Sequence, residues 1–349
     1  MIIHCSQDSF LTSAPSPLST AEVFLSFPQS RHLWFARTAT GWKEAFFTSQ
    51  VSDSDHHVSM IDCLADLTCL RHLPSLYDAN IAYITVLHGI ASMVQSYRRL
   101  KIASLGTVEG MPLKPRESVL PDDSQYLWLL KVFESLHQTF RLCESNAETS
   151  FSIMLLFELL LLHFHCSIDQ MELLAGKEGF EEAQASYSIL QRWIDNGEAR
   201  QAVWRAGQIL KLVRALPPET MNDFHCVALY HGSLCLWAYG IITTRRHGRL
   251  PTEAHQPRVQ DIILDGEESL ETQRWIAFDR GRPVISTAVS GGEPDRPPVI
   301  SIQSTDAVMQ TCIQATRSKY PSRAVLPPST EQLCYLMHAL SMTMQRTAN

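Results

Sequence analysis

The sequence predicts an all-α fold, a multi-helix bundle or an irregular α-α superhelical domain. Three observations predict it. Apolar residues recur at steps of three and four through most of the chain, the period of an α-helix. No stretch keeps up the strict apolar-polar alternation of a half-buried strand. The periodic stretches meet at Pro- and Gly-containing joints, the tightest being Pro217-Pro218 between two long apolar segments.

Composition sets the bounds. A chain of 349 residues, 45% of them hydrophobic, can bury a large core as one big domain or two smaller ones. Its formal charge of -7 disfavours nucleic-acid binding through a chain-wide basic surface. Nine cysteines without regular spacing read as reduced core thiols, and so as an intracellular protein. Met1 to Thr20 has no basic flank before an apolar stretch and does not resemble a signal peptide. The longest apolar run, Phe151 to Phe164, contains Glu158 and is too short for a hydrocarbon layer about 30 Å thick, so it reads as a core helix and no membrane span is expected.

Taken in order, residues 1–19 are rich in Ser, Thr and Pro and read as a poorly ordered lead-in. Ser19 and Glu22 have capping-box spacing, which predicts a helix start before Val23, Phe24 and Leu25. The aromatic cluster Phe24, Phe27, Leu33, Trp34, Phe35, Trp42, Phe46 and Phe47 is expected to bury its rings in short helices as core packing. Helices follow over His57 to Leu70 and Tyr77 to Leu100, the second ending in Arg98, Arg99 and Lys101, which suit a helix C-terminus. Gly106 to Pro121 reads as a surface loop. Asp122 to Leu142 is helical again, and Ser145 and Glu148 have capping-box spacing before the apolar run.

His163, His165 and Cys166 raise a metal hypothesis, because imidazole and thiolate are zinc ligands. Their spacing argues against it. Positions 163 and 165 of a helix point to different faces, and no CxxC pair stands elsewhere to complete four ligands, so no metal site is expected. Gly179 to Ile194 forms an amphipathic helix that leads through Asn196-Gly197 into the central hairpin.

In the first arm of that hairpin, Ala202, Ala206, Ile209, Val213 and Leu216 form a stripe, with Arg200, Arg205, Gln208 and Arg214 opposite, as in a half-buried helix. The second arm, Glu219 to Thr243 with Asn222 as N-cap, is apolar nearly all round and reads as a central, buried helix. The two prolines cannot continue the first helix, and so short a joint makes the pair antiparallel. The run Arg245-Arg246-His247-Gly248-Arg249 reads as a solvated loop, and residues 279–303, with Gly291-Gly292 and Pro297-Pro298, as a flexible linker. Helices near Thr305 to Lys319 and Ser329 to Met344 close the chain. The expected organisation is a lead-in at 1–19, one helical domain at 20–278, a linker at 279–303 and docking helices at 304–349.

No catalytic constellation stands out. The sequence has no phosphate loop, GxGxxG or HExxH, and His231-Gly232-Ser233 lies inside a helical pattern rather than at the strand-to-helix turn of a nucleophile elbow. Neither catalytic nor cofactor-binding residues are expected. Trp204 and Trp237 are expected to be structural anchors, and Arg205, on the polar face, a surface residue.

Two stretches resemble a known family. Ala199-Arg200-Gln201-Ala202-Val203-Trp204-Arg205-Ala206-Gly207-Gln208-Ile209-Leu210, followed by Tyr230-His231 and Leu236-Trp237-Ala238-Tyr239-Gly240, resembles the C-terminal part of the fungal-specific transcription factor regulatory domain. Upstream, Phe27-Pro28, Leu33-Trp34 and Thr38-Ala39-Thr40-Gly41-Trp42 resemble a second signature of that family, and the likeness runs from about Thr20 to Thr243. The family motif usually has His where this chain has Arg205 and often Cys where it has Gln29.

The resemblance implies a non-catalytic regulator of RNA polymerase II transcription, nuclear, with Trp34, Trp42, Arg200, Trp204, Gly207, Gln208, Tyr230, His231, Trp237 and Tyr239 as structural motif residues. Relatives carry zinc in a Cys-rich DNA-binding module that this sequence does not contain, so a truncated or stand-alone form is expected, reaching DNA only through a separate module. Expected partners are proteins or a second copy, and a small-molecule effector. The competing reading is a free-standing helical protein, otherwise cytoplasmic, that binds a small molecule or a protein and belongs to a metabolic gene cluster.

Overall fold

The computed structural model describes residues 2–12, 24–49, 58–73, 77–105, 123–142, 147–247, 260–287, 298–321 and 325–346. Helices dominate it, and the predicted all-α class stands. The chain divides into two compact units, Met1–Ile153 and Met154–Asn349. This division falls inside the expected single domain, and it lies within the apolar-run helix rather than at a Pro/Gly joint.

In the first unit, α1 (Ile2–Thr12), α2 (Arg31–Trp34), α3 (Ala39–Ser49), α4 (Met60–Ala65), a 3-10 turn (Leu67–His72) and α6 (Asp123–Leu142) accompany the long α5 (Ala79–Leu105). α1, α4, the 3-10 turn and α6 all pack on α5, whose Val86, Leu87, Ile90 and Val94 are buried. The poorly ordered lead-in is corrected over residues 2–12. Phe10 is buried there, Ser9 Oγ donates to Gln95 Oε1 at 2.8 Å, and Ser6 Oγ meets His88 Nδ1 at 2.8 Å. Ser and Thr signal disorder only where no neighbour takes up their hydroxyls. Residues 24–30 are extended, with single bridges Ser26 to Ser59 and Gln29 to Tyr77, so the helix expected to run through Phe24 and Leu25 is absent there. The Ser19 and Glu22 cap and the 106–121 loop lie outside the described residues.

The helix α7 (Ala147–His165) leads into the second unit, which contains α8 (Ile168–Leu174), α9 (Phe180–Ile194), α10 (Gly197–Ala215), α11 (Asp223–His247), α12 (Leu270–Phe278), α13 (Thr305–Arg317) and α14 (Pro328–Arg346). α10 and α11 form the predicted hairpin, and α11 also packs on α8, α9, α13 and α14. Asn222 Oδ1 accepts from the His225 N–H at 3.0 Å, the expected N-cap. α11 is long and apolar enough to cross a membrane, but its whole apolar window is buried inside the protein, which makes it the core helix of this unit.

The basic run after the hairpin is helical through His247, where Arg246 pairs with Asp195 and the Arg245 guanidinium sits 5.4 Å from the centre of the Tyr187 ring. The solvated loop expected there is corrected to that extent, and the remainder of the run lies outside the described residues.

The largest departure is a small sheet. β1 (Asp261–Ile263) pairs in parallel with β2 (Arg282–Ser286), with Asp261 opposite Arg282, and β2 pairs antiparallel with β3 (Val299–Ser301), with Ile285 opposite Ile300. α12 is the crossover between the parallel strands, started by a Ser269–Thr272 capping box and stopped at Asp279, whose φ is 56°. The expected flexible linker therefore contains β2 and β3, and Val284 and Ile285 are fully buried. Each strand is only three to five residues long, too short to show a period.

Candidate functional site

The hairpin brings together eight of the ten motif residues. Ala206 and Gly232 mark the helix crossing: a Cβ on Gly232 would lie 3.6 Å from Ala206 Cα and 3.6 Å from Ile209 Cγ2. Small residues at the crossing let α10 and α11 approach closely. Trp204, Tyr230, His231, Trp237 and Tyr239 are all buried within the unit. Trp193 from α9 meets the Tyr239 ring edge-on at 6.4 Å and donates its Nε1–H to the His165 carbonyl at 2.9 Å.

The polar face of α10 is only partly open to water: α10 is half-buried as expected, but Arg205, Gln208, Lys211 and Arg214 on that face are half-buried too. Arg200 is buried and donates from Nε to the Ile276 carbonyl at 2.7 Å, at the C-terminal end of α12. Gln208 Nε2 donates to the carbonyls of Leu264 at 2.8 Å and Gly266 at 3.0 Å. Lys211 Nζ reaches Glu267 Oε1 at 2.6 Å, though Glu267 is exposed and the pair contributes little. Arg214 closes the stripe: it pairs with Asp265, donates to Ser286 Oγ at 2.9 Å and donates from Nη2 to the Ser286 carbonyl at 2.8 Å. Asp265 Oδ1 accepts the Ser286 N–H at 2.9 Å. Positions 200, 208, 211 and 214 thus bind the sheet and its crossover helix along one stripe.

Gly207 lies in the same stripe. A Cβ there would sit 2.5 Å from the Leu264 carbonyl carbon, a contact with backbone that no rotamer relieves. Gly240 plays the same part on α11, where a Cβ would come within 2.8 Å of Thr305 Cγ2 and 3.2 Å of the Ile302 carbonyl carbon. Gly207→Ala is therefore expected to destabilise the chain by about 1–3 kcal/mol through overpacking, despite the better helix propensity of alanine. An unchanged denaturation midpoint for this variant would show that the Leu264 segment can move away freely.

The hinge has its own support. Lys319 Nζ is buried and donates to the carbonyls of Arg214 and Leu216, both at 2.6 Å, placing an ammonium on the C-terminal end of α10. The Glu219 N–H donates to the Lys319 carbonyl at 2.9 Å, and Glu219 takes a φ of 65° to turn the chain after Pro217-Pro218.

Arg205 is not a surface residue. Its Nη1 donates to both oxygens of the Glu158 carboxylate at 3.3 Å, and that carboxylate is only 8% exposed on α7. The reason is the position of α7, which the period of α10 alone does not encode. Arg205→Ala is expected to cost about 1–3 kcal/mol, because it leaves a buried carboxylate without its cation. A thermal melt indistinguishable from the parent would show that water replaces the guanidinium.

His163 Nε2 and His231 Nδ1 lie 3.1 Å apart, one necessarily donating and the other accepting, which couples their tautomers. Burial lowers the His231 pKa to about 4, helped by the nearby Lys177 ammonium, and burial alone lowers His225 and His88 to about 4. Burial raises Tyr230 to about 12 and pushes Tyr239 higher still. A histidine held neutral in the fold and free to protonate when unfolded contributes stability that is present above pH about 6.5 and lost as pH falls toward 4. Stability is thus expected to drop across that window, and His231→Gln to flatten the profile. A parent whose midpoint stays level between pH 7 and 4.5 would contradict the buried, neutral assignment.

Among the described residues, no three or more His, Cys, Asp or Glu side chains converge in a metal-holding group, and His163 and His231 stand as a pair. Arg200 and Gln208 donate to backbone carbonyls and the motif aromatics are buried in the unit, a geometry that fixes helices. Sequence reasoning missed Lys211, Asp265, Ser286 and Lys319. The stripe at 200, 204, 207, 208, 211 and 214 was its available signal, being too regular for a solvated face.

The other two motif residues lie in the first unit. Trp34 is 72% exposed and Trp42 43% exposed, and of the aromatic cluster only Phe27 and Leu33 are buried. The expected core packing fails over most of the cluster because α2 has only four residues and, among the described residues, α3 packs chiefly on α2. No protein family, curated protein or solved structure matches this chain.

Proposed function

We propose that this chain is a non-catalytic regulatory module of the kind fungal transcription factors couple to a zinc-dependent DNA-binding module, acting in the nucleus on RNA polymerase II transcription. The single observation that supports it is the shared use of the motif residues Arg200, Trp204, Gly207, Gln208, Tyr230, His231, Trp237 and Tyr239 on one hairpin. A motif spent on helix crossing and on clasping a small sheet suits a module whose output is a surface for proteins or a response to an effector. In this reading the module holds no zinc and no cofactor of its own, and DNA is read elsewhere.

The test is a fusion of the whole chain to an unrelated DNA-binding domain in a fungal reporter strain. A severalfold change in reporter output, in either direction and lost in a Trp204→Ala fusion of equal abundance, supports the proposal. A nuclear, folded and abundant fusion that leaves the reporter unchanged overturns it.

A further inference from the structure

We propose that this chain associates with a second copy of itself head to tail, the basic aromatic face around α2 and α3 of one copy receiving the acidic, Phe180-bearing tip of α9 of the other. The receiving face is unusual in kind. Trp34, Phe35 and Phe47 are 72%, 78% and 62% exposed, in a protein that buries Trp204 and Trp237 almost completely. Local contacts cover these rings only in part: Trp34 Nε1 donates to the Gln29 carbonyl at 3.2 Å, Trp42 stacks on Phe46 at 5.0 Å and the Lys43 ammonium lies 6.0 Å from the centre of the Phe47 ring, yet Trp34, Trp42 and Phe47 all remain exposed. Exposed Trp and Phe side chains gathered on two helices that pack together are a usual mark of an interaction surface.

Charge identifies the occupant. Between residues 24 and 49 the chain carries Arg31, Arg37 and Lys43 against the single acid Glu44, inside a protein of net charge -7. Arg31 is paired with Asp78 at 2.8 Å, which leaves the exposed Arg37 and Lys43 to set the sign of the rim. The complementary feature lies in the second unit. There Gly179, at a φ of 119°, turns the chain into α9, and Phe180 stands 81% exposed between Glu178 and the pair Glu181 and Glu182. Lys177 is engaged by Glu172 at 2.6 Å, so the tip is acidic. Two glutamates in a first helical turn are explained by the macrodipole, but a protruding phenylalanine is not. A buried aromatic anchor ringed by opposite charges is the arrangement that concentrates binding energy at protein interfaces.

Association is read in solution by sedimentation of the purified full chain over a micromolar concentration series. The parent is expected to associate reversibly, and more weakly as salt is raised. The Arg37→Glu, Lys43→Glu double variant and the Glu181→Lys, Glu182→Lys double variant are each expected to associate about 10-fold more weakly, and their equimolar mixture to recover parent-like association, since each face then meets an opposite tip. All four positions are exposed, and circular dichroism melts check that both variants fold. Phe180→Ser, with no charge change, is expected to weaken association as well. A parent that stays monomeric through the series, or variants whose mixture shows no recovery, overturns the proposal.

Discussion

Trp204→Ala and Trp237→Ala are each expected to lower stability by about 3–5 kcal/mol, the cost of losing a large buried ring and leaving part of its volume empty. Trp204 is 2% exposed on α10 and Trp237 3% exposed on α11, the two arms of the central hairpin. For a unit of ordinary stability, roughly 5–15 kcal/mol, either change alone removes a large share. The two differ in one respect that sharpens the test. The Trp237 Nε1–H is buried with no hydrogen-bond partner among the described residues, so its indole contributes packing without a polar contact. Trp237→Phe should therefore cost much less than Trp237→Ala, because it keeps most of the ring and relieves the unpaired N–H. Denaturant midpoints of the three variants measure this. If the alanine variants unfold like the parent while reporter activity of the fusion is lost, the tryptophans are recognition residues and the anchor reading fails.

Arg214→Met is expected to cost about 3–5 kcal/mol, because it strands the Asp265 carboxylate, 2% exposed, without its cation. The Ser286 N–H still donates to that carboxylate, which favours the lower part of the range. Adding Asp265→Asn should recover part of the loss, since a neutral amide oxygen can accept from Ser286 without needing a guanidinium. A double-mutant cycle read by chemical denaturation gives the coupling. Strict additivity of the two changes would mean that Arg214 and Asp265 act separately, and that Arg214 matters for the Ser286 backbone alone. The expected site of the damage is specific: hydrogen exchange should rise first in β1 and β2, which Arg214 ties to α10, before it rises in α11.

These two predictions also separate what was legible in the residues from what was not. The hairpin and its central arm could be read directly, because Pro217-Pro218 stops a helix locally and a helix apolar on every side has no use for water. The burial of Trp204 and Trp237 followed from the same pattern. Arg214 did not. Its partners lie 51 and 72 residues further along the chain, so the spacing within α10 carries no trace of them.

The sequence by itself determined the long helices α5, α6, α7, α9, α10, α11, α13 and α14, their order and the buried character of α11, since periodicity and caps act over a few residues and need no distant partner. Only the tertiary structure decided that the polar stripe of α10 is an inner face, because whether an arginine meets water or a carbonyl depends on what packs against it. It decided the sheet for the same reason. Strands of three to five residues have no stability alone and exist here because Gly207 and Gly240 let their flanking backbone lie against the hairpin. It decided, finally, that Trp34 and Trp42 stay largely in solvent while Trp204 and Trp237 do not: burial requires a second layer, and among the described residues the contacts of α3 are chiefly with the four-residue α2.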